Sequence, residues 1–300
     1  MNHWKIFAVV GALVYTLAPC VWAQSSAPDH APTSPANREF VVFDGTLYRN
    51  KPDFSHYGIR SVKIVAGQLW DRGKPEEGLP HEAQVHRVAN EVAGLGDMVI
   101  LDIEHWSLQG QARTVEGSLS KYLTVLRWFR EAKPDVTVGY YGTVPIRDYW
   151  RAIKDSKTTE HEAWRAENDH LGELAAAVDV LFPSLYTFYN DREGWKKFAI
   201  AQIAEARRYG GGKPVYVFLW PEFHDSNRLL KGTYLSASFW QLQLETAKAY
   251  ADGVVIWGGW GLDNRPQNWN ELAEWWQVTK SFLARLSQGD ERVSKEPLHP

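Results

Sequence analysis

Short apolar runs alternate with amphipathic stretches along most of this chain. The runs are nearly continuous and rich in Val, Ile, Leu and Phe, which predicts strands that are buried on both faces. They lie at residues 40–43, 62–66, 98–102, 137–141, 178–182, 215–219 and 253–257. Between them, apolar residues recur with the helical period, which predicts helices at residues 84–94, 118–132, 169–177, 195–209, 236–250 and 269–286.

This alternation predicts an α/β fold with a parallel sheet, because parallel strands need a crossover connection that is usually a helix. Seven strand–helix units favour a closed barrel over a doubly wound sheet, and the sequence contains no Gly-x-Gly-x-x-Gly fingerprint of a dinucleotide-binding fold. We therefore expect a single β/α (TIM-like) barrel of about seven to eight parallel strands over residues 39–287.

Polar and aromatic side chains recur at the carboxyl ends of the predicted strands. In a β/α barrel these ends meet at one face, where the active site lies. The residues at these positions are Asp44, Gln68, Trp70, Asp102, Glu104, Tyr140, Tyr141, Tyr186, Trp220, Glu222, Trp257 and Trp260. Their recurrence after every predicted strand indicates a binding face more strongly than any one of them does.

The third predicted strand ends in two carboxylates, Asp102 and Glu104, with Trp106 shortly after them. Side chains alternate along a strand, so we expect Met98, Ile100, Asp102 and Glu104 on one face. Acids at the end of a buried strand are costly unless they are paired or take part in chemistry. A positioned acid with a helper carboxylate is what cleavage of a glycosidic bond requires.

Two carboxylates on one strand face point in the same direction and do not flank a sugar from opposite sides. This arrangement suits substrate-assisted catalysis, in which Glu104 protonates the leaving oxygen and Asp102 orients an acetamido group of the substrate. Repulsion between the two charges raises the pKa of at least one of them, and a proton kept on Glu104 is what a general acid needs. The alternative is a solvated strand end whose acids pair with Lys or Arg.

Composition narrows the function classes. The chain has 15 Trp, 13 Tyr and 12 Phe, which supply a large core, and aromatic faces also stack on sugar rings. The formal net charge is -3 and no basic tract is present, so nucleic acid is not an expected partner. His-Glu-x-x-His is absent, and we expect no metal and no cofactor. The pair His224-Asp225 is interpreted as part of a loop.

The N-terminal residues have the pattern of a secretory signal. Lys5 precedes an apolar stretch, and small residues around Ala23 predict cleavage before Gln24. We expect a signal peptide at residues 1–23, a flexible leader at 24–38 and a disordered tail at 288–300. The protein is then secreted or periplasmic, has no membrane span after cleavage and is a monomer. Lipid anchoring at Cys20 is the alternative, opposed by Pro19 where a small residue is expected.

Several short motifs, in this order along the chain, resemble one enzyme family. They are Gly78-Leu79-Pro80-His81, Leu101-Asp102-Ile103-Glu104-His105-Trp106, Gly139-Tyr140-Tyr141, Glu167-Asn168-Asp169, the segment 179–186 that ends in Tyr186, and Asp252-Gly253-Val254-Val255-Ile256-Trp257-Gly258. On these residues the chain resembles the hyaluronidase family of glycoside hydrolases, family 56, as a distant bacterial-type member.

The resemblance implies roles for individual residues. Glu104 would be the proton donor, Asp102 would position the acetamido group, Tyr186 would make a second contact to it, and Trp257 would form a wall of the sugar pocket. Further candidate substrate-binding residues at the strand ends are Tyr141, Trp106, Trp220, Glu222 and Trp260. The family retains anomeric configuration and uses no cofactor.

The chain also departs from the family's pattern. Ser107 stands where the family has an Arg, the second active-site Tyr on the sixth strand has no counterpart, and Cys20 is the only cysteine. We expect an exported, hyaluronidase-like hydrolase of a β-linked N-acetylhexosamine polysaccharide. Two alternatives stay open: a non-catalytic glycan-binding barrel, and a two-carboxylate glycosidase that uses Glu104 with Glu222.

Overall fold

The computed structural model describes residues 39–71 and 78–295, with side chains up to residue 288. The predicted signal peptide and the leader lie outside the described residues. Seven strands are named, at Val41–Thr46 (β1), Arg60–Ser61 (β2), Lys63–Val65 (β3), Val99–Leu101 (β4), Val138–Tyr140 (β5), Tyr216–Leu219 (β6) and Gly253–Gly258 (β7). Each of the predicted runs except 178–182 overlaps a strand; four of these strands are one or two residues shorter than predicted, whereas β1 and β7 are longer.

Eight α-helices follow or separate these strands in the described part of the chain. They are Glu82–Val92 (α1), Ala112–Ala132 (α2), Tyr149–Ala152 (α3), Thr159–Asp169 (α4), Gly172–Ala177 (α5), Arg192–Gly210 (α6), Ala237–Tyr250 (α7) and Glu274–Lys295 (α8). The sequence pattern missed α3 and α4, and it merged the end of α4 with α5 into one helix at 169–177. The last helix begins later than predicted and continues through Lys295, into the segment expected to be a disordered tail.

All pairings between named strands are parallel, as the near-continuous apolar runs predicted. One sheet has the order β2-β1-β7-β6 and the other has the order β3-β4-β5. Only Val62 separates β2 from β3, so the two sheets are joined there. The chain is thus an α/β protein built on parallel strands, and the pairings do not show an eighth strand among the described residues.

The predicted strand at 178–182 is replaced by a segment with isolated bridges. Tyr141 bridges Phe182, Leu181 bridges Val215, and Ser184 bridges Phe218, all in parallel. The segment therefore lies between β5 and β6, where the missing strand was expected. Pro183 has no amide hydrogen to donate to a ladder, which is a physical reason for the interruption.

Residues of the strands alternate between two apolar clusters. In β4, Ile100 belongs to an inner cluster with Phe43, Phe182, Phe218 and Val255 from the other strand segments. Its neighbours Val99 and Leu101 belong to an outer cluster, which packs against the helices. Because both faces are apolar, the strand sequences show continuous hydrophobic runs and not an alternation with polar residues.

Two aspartates, Asp252 buried and Asp179 half-buried, hold the amino ends of two strand segments. Asp252 precedes β7, and its carboxylate accepts hydrogen bonds from the amide of Val215 at 2.9 Å and from Arg207 at 3.2 Å. Asp179 accepts the amide of Val138 at 2.9 Å and also pairs with Arg130. These contacts fix the strand order at the end opposite to the predicted active site. None of the described helices is long and apolar enough to span a membrane.

Candidate active site

The two carboxylates lie directly after β4, at the carboxyl end of the strands. The amide of Asp102 donates to the carbonyl of Val65 at 2.7 Å, which continues the parallel pairing one residue beyond the strand. Met98 and Ile100 lie in the inner cluster together, as the predicted common face requires of these two residues. Asp102 is partly buried and Glu104 is exposed, which places Asp102 deeper and Glu104 nearer to the solvent.

Asp102 and Glu104 line a cavity of about 160 Å³, which we call the central cavity. The oxygen Oδ1 of Asp102 is inaccessible to solvent and has no hydrogen-bond partner. Burial, and next the charge of Glu104, raises the pKa of Asp102 from 3.8 to about 7. The shift that repulsion predicted for this pair therefore falls on Asp102, and its main cause is desolvation.

An aromatic wall faces the carboxylates across the central cavity. The ring of Tyr186 lies 5.8 Å from that of Tyr141, 5.5 Å from that of Trp220 and 5.8 Å from that of Trp257, measured between centroids. Trp220 and Trp257 meet edge to face at 4.6 Å. The structure thus brings Tyr141, Tyr186, Trp220 and Trp257 together with the two acids, as the strand-end rule predicted.

Burial raises the pKa of the Tyr186 hydroxyl well above 10.0, and the nearby charges of Asp102 and Glu104 act in the same direction. This hydroxyl therefore keeps its proton and acts as a hydrogen-bond donor. The hydroxyl of Tyr141 is bonded to Ser184 Oγ at 2.9 Å, which fixes its ring against Phe218 at 4.7 Å. The aromatic wall is consequently held by contacts on its far side.

The sequence interpretation missed two polar residues of the central cavity. His224 and Asp225, which follow β6, line its wall. The His224 ring lies 6.0 Å from the rings of both Tyr186 and Trp220. Burial and the charge of Arg147 lower the pKa of His224, and Asp225 partly opposes them. The strand-end rule, applied a few residues further along the loop, would have identified this pair.

A second cavity of about 260 Å³, which we call the lateral cavity, adjoins the central one. It is lined by the loop 103–109, by Tyr122, and by residues of the loop 141–147. Glu104 and Tyr141 line both cavities, so Glu104 stands at their junction. Trp106, a predicted substrate contact, lines only the lateral cavity and is itself mostly buried.

Arg147 supplies a positive charge to the lateral cavity. Its guanidinium donates to Ser184 Oγ at 3.4 Å and lies 5.3 Å from the centre of the Phe188 ring. The sequence interpretation noted that Ser107 replaces a family arginine. Both Ser107 and Arg147 line this cavity, so a basic side chain does face the site, contributed by a different loop.

Tyr122 of α2 braces the loop that carries the acids. Its hydroxyl donates to the carbonyl of Ile103 at 2.7 Å and lies 3.2 Å from that of Trp106. Its ring packs edge to face on Trp106 at 5.2 Å. Two carbonyls on either side of Glu104 are thereby tied to the helix. The sequence interpretation missed this residue because nothing in the helix pattern distinguishes it from a core tyrosine.

Glu222 and Trp260, two further predicted contacts, line neither cavity. Glu222 is 1% exposed and bridges Tyr234, while Trp260 bridges Pro266 in the loop after β7. The reason is local: after Trp220 the chain pairs in antiparallel with the segment around Tyr234, and Glu222 lies within that pairing. The structure therefore does not pair Glu222 with Glu104 across a bound sugar.

Glu222 is nevertheless an unusual group. Its Oε1 atom is buried without a hydrogen-bond partner, and burial raises its pKa from 4.5 to about 7. The hydroxyls of Tyr48 and Tyr234, 3.2 Å apart, lie close enough that the charge of Glu222 raises both of their pKa values. The cluster adjoins the aromatic wall, because the Trp220 side chain partly opposes the rise in the pKa of Glu222.

Among the described residues, Glu82, His86 and Glu131 are a group whose ligand-type atoms lie within 4.8 Å of one another. His86 Nε2 lies 4.0 Å from Glu82 and 3.8 Å from Glu131. Both carboxylates are exposed, Glu131 also pairs with Arg127 at 3.0 Å, and none of these residues lines either cavity. The group belongs to the surface of α1 and α2.

No protein-family model matches the chain, and no curated protein sequence matches it significantly. Solved structures are similar. Bee venom hyaluronidase in complex with a hyaluronic acid tetramer is 17% identical over 86% of this chain and 97% of that chain, with a TM-score of 0.56. A monoclinic crystal structure of bee venom hyaluronidase is 17% identical over 86% of this chain and 98% of that chain, with a TM-score of 0.53.

An endo-1,4-β-D-mannanase from Thermotoga petrophila also matches, at 10% identity over 82% of this chain and 99% of that chain, but its TM-score is only 0.45. At such identities the comparisons show the fold and not the reaction. The chain has the fold of bee venom hyaluronidase, so the predicted α/β architecture with parallel strands is confirmed, while a closed barrel stays a prediction. Membership of family 56 stays a prediction.

Proposed function

We propose that this chain is an exported glycoside hydrolase that cleaves a β-linked N-acetylhexosamine polysaccharide with retention of configuration. The observation that carries the proposal is the buried, unpartnered Oδ1 of Asp102 in a cavity walled by aromatic rings. A buried acceptor without a donor is costly, and an acetamido N–H of a bound sugar would satisfy it. The position of Glu104 at the junction of two cavities supports a role at the bond between two sugars.

In the first step Glu104 donates its proton to the glycosidic oxygen. As the bond from the anomeric carbon to that oxygen breaks, the carbonyl oxygen of the substrate's acetamido group attacks the anomeric carbon. The leaving sugar departs as an alcohol, and a cyclic oxazolinium ion remains in the central cavity. Glu104 is then a carboxylate.

In the second step a water molecule attacks the anomeric carbon from the side that the leaving sugar occupied. The carboxylate of Glu104 takes a proton from this water, and the ring oxygen of the oxazolinium returns to the acetamido group. Two inversions give net retention, and Glu104 regains the proton that it had lost. The sum is one water added across one glycosidic bond.

The other groups hold the participating acetamido group. Asp102 accepts its N–H, Tyr186 donates to its carbonyl oxygen, and the rings of Trp220 and Trp257 pack on its methyl group. These contacts favour the conformer in which the carbonyl oxygen lies near the anomeric carbon, which lowers the entropic part of the barrier. Positioning by Asp102 is strongest where the residue is ionised, since a carboxylate is the better acceptor.

Two substrate types stay within the proposal, namely hyaluronan or chondroitin, and a neutral or peptidoglycan-like glycan. Arg147 in the lateral cavity supports an anionic sugar next to the cleaved bond. Export is supported by the signal-like pattern of residues 1–23, with lipid anchoring at Cys20 as the alternative.

The test compares wild type with Glu104→Gln on hyaluronan, on chondroitin and on a soluble chitin derivative, measuring new reducing ends. We expect wild type to cleave at least one polymer and Glu104→Gln to lose about 10²- to 10⁴-fold in rate, the contribution of a general acid. Glu116→Gln, an exposed position on α2, is the matched control. Equal turnover by Glu104→Gln and wild type would contradict the proposed acid.

The N-deacetylated form of the cleaved polymer tests the acetamido step separately. We expect no cleavage of it, because the internal nucleophile is missing. A two-carboxylate mechanism would be supported in place of this one if the acetylated and the N-deacetylated polymer were cleaved at the same rate. In that case Glu222→Gln should lose as much rate as Glu104→Gln does. Binding of the polymers by wild type without new reducing ends would support the non-catalytic glycan-binding barrel.

A further inference from the structure

Large exposed apolar side chains are not spread evenly over the described part of the chain. With two exceptions, Leu95 shortly before β4 and Tyr57 shortly before β2, they lie in segments that follow a strand or the bridged residues 181–187. These segments meet at the end of the strands that carries Asp102 and Glu104. An uneven distribution of this kind marks an interaction face and not random surface composition.

Trp150 and Tyr189 are an exposed aromatic pair on this face. They are 57% and 40% exposed, and their ring centroids are 5.1 Å apart. The indole N–H of Trp150 donates to the hydroxyl of Tyr189 at 3.2 Å. Tyr149 lies beneath them, 5.2 Å from Trp150 and 4.9 Å from Tyr189 between centroids. We call Trp150 and Tyr189 the aromatic platform.

The platform is held rigidly although it is exposed. The hydroxyl of Tyr149 donates to Asp191 at 3.0 Å, and Asp191 also caps the amino end of α6 through the amide of Gly194 at 2.9 Å. Asp148 caps α3, whose Arg151 forms a bidentate pair with Glu167 at 2.7 Å for both contacts. Rings that are already fixed lose little conformational freedom when a ligand stacks on them.

The aromatic platform is connected to both cavities through the residues next to it. Arg147, which lines the lateral cavity, is only three residues before Trp150 and packs on the ring of Phe188, the neighbour of Tyr189. The ring of Phe188 also lies 4.7 Å from that of His224, which lines the central cavity. A chain of contacts therefore runs from the central cavity past Arg147 to the platform, on the β5 side of the site.

We propose that Trp150 and Tyr189 form a distal binding site for a pyranose ring of a polymeric glycan. The apolar C–H face of a pyranose stacks on exposed aromatic rings, while its hydroxyls stay in water at the edges. This inference rests on the proposed function and deepens it. A glycan that reaches from Glu104 to the platform is longer than the sugars held in the two cavities, so the substrate is a polymer.

The test measures binding directly, by affinity electrophoresis in gels that contain hyaluronan, chondroitin or soluble chitin derivative. We expect wild type to be retarded by at least one polymer, and the double variant Trp150→Ala/Tyr189→Ala to bind that polymer about ten-fold more weakly, the scale expected from losing two stacking faces. Leu95→Ala, an exposed apolar residue at the opposite end of the strands, is the matched control and should bind as wild type does.

Ring-retaining variants separate stacking from folding. Trp150→Phe with Tyr189→Phe keeps both apolar faces but removes the indole–phenol hydrogen bond, and we expect retardation close to that of wild type. The unfolding temperatures of the alanine variant and of wild type should be the same. This result would show that the substitutions change binding and leave folding intact. On a tetrasaccharide of the cleaved polymer, kcat of the alanine variant should equal that of wild type, with a raised KM only on the full polymer.

Unchanged polymer binding in the alanine variant would overturn the platform, as would failure of all three polymers to retard the wild-type protein. Neither outcome depends on cleavage. If Glu104→Gln reduces cleavage but the alanine variant binds normally, the hydrolase proposal stands and the platform falls. If no polymer is cleaved but binding depends on Trp150 and Tyr189, the platform stands and the hydrolase proposal falls.

Discussion

At the scale of single residues, Asp102 shows how folding prepares a group for chemistry at a cost in stability. Its raised pKa, about 7 against 3.8, comes from burial first and from the charge of Glu104 second. A carboxyl group whose pKa is higher in the folded state binds more protons there than in the unfolded chain. Stability is therefore full at acidic pH and declines as pH rises from about 4 to about 7.

Asp102→Asn should remove the part of this decline that Asp102 causes. Without the buried charge, the variant should gain unfolding free energy relative to wild type as pH rises from 4 to 8, by at most about 4 kcal/mol. Urea unfolding at pH 4, 6 and 8 measures the difference, and the same exchange at the exposed Asp135 is the control. A difference between Asp102→Asn and wild type that does not change with pH would contradict the assigned burial cost.

At the scale of elements, helix α2 positions the loop that carries the acids. Tyr122 joins this helix to the carbonyls of Ile103 and Trp106, so the packing of the helix sets the direction of Glu104. A shift of a catalytic group by a fraction of an ångström lowers the rate of a reaction that depends on alignment. Tyr122 is thus a positioning residue and touches no substrate in the proposed mechanism.

Tyr122→Phe should lower kcat about ten-fold and the unfolding free energy by about 1 to 2 kcal/mol, because one buried hydroxyl with two acceptors is lost. Tyr140→Phe is the matched control: it removes a buried hydroxyl that donates to the Tyr122 carbonyl at 2.8 Å, with no contact to the acid loop. For Tyr140→Phe we expect a loss of unfolding free energy similar to that of Tyr122→Phe, and an unchanged kcat. Equal kcat losses in both variants would argue against a specific role of Tyr122.

The elements also show where sequence patterns are sufficient. The long helices α6 and α7 were predicted within three residues of their observed bounds, because an apolar stripe of many turns is a strong signal. The segment 178–182 and helix α4 were not. The first is held by isolated bridges to its neighbours, and α4 has few buried side chains, mainly Trp164 and Asn168. Both depend on contacts that are distant in sequence.

At the scale of the whole molecule, the two ends of the strands have different tasks. The carboxyl ends carry the cavities, the unpartnered Asp102 and the exposed aromatic rings. At the amino ends, Asp252 and Asp179 bind strand amides and arginines, and the Asp252 pair is buried. Substitutions at the carboxyl ends should therefore change activity, and substitutions at the amino ends should change the free energy of unfolding.

Asp252→Ala tests this division. The ion pair is buried, with Asp252 1% and Arg207 11% exposed, so its loss should cost about 3 to 5 kcal/mol of unfolding free energy. The exposed pair of Arg60 and Asp97 is the control, and Asp97→Ala should cost no more than about 1 kcal/mol. Below the unfolding transition, kcat/KM of Asp252→Ala should match wild type; a large fall would show that the two ends are coupled.

The sequence by itself determined the fold class and the central acids of the candidate site. Continuous apolar runs between amphipathic stretches are a local consequence of strands buried on both faces, and the residues after each run must meet at one end of a parallel sheet. Asp102, Glu104, Tyr141, Tyr186, Trp220 and Trp257 were found in this way, and the structure places all of them around one cavity.

Only the tertiary structure decided which strand-end residues turn toward that cavity. Glu222 and Trp260 follow strands as the others do, yet the path of the chain after each strand directs them elsewhere. Arg147, His224 and Tyr122 join the site through loops and a helix whose sequences carry no periodic signal for it. The raised pKa of Asp102 likewise depends on how much water the assembled walls exclude, which is a property of the packed molecule and not of its local sequence.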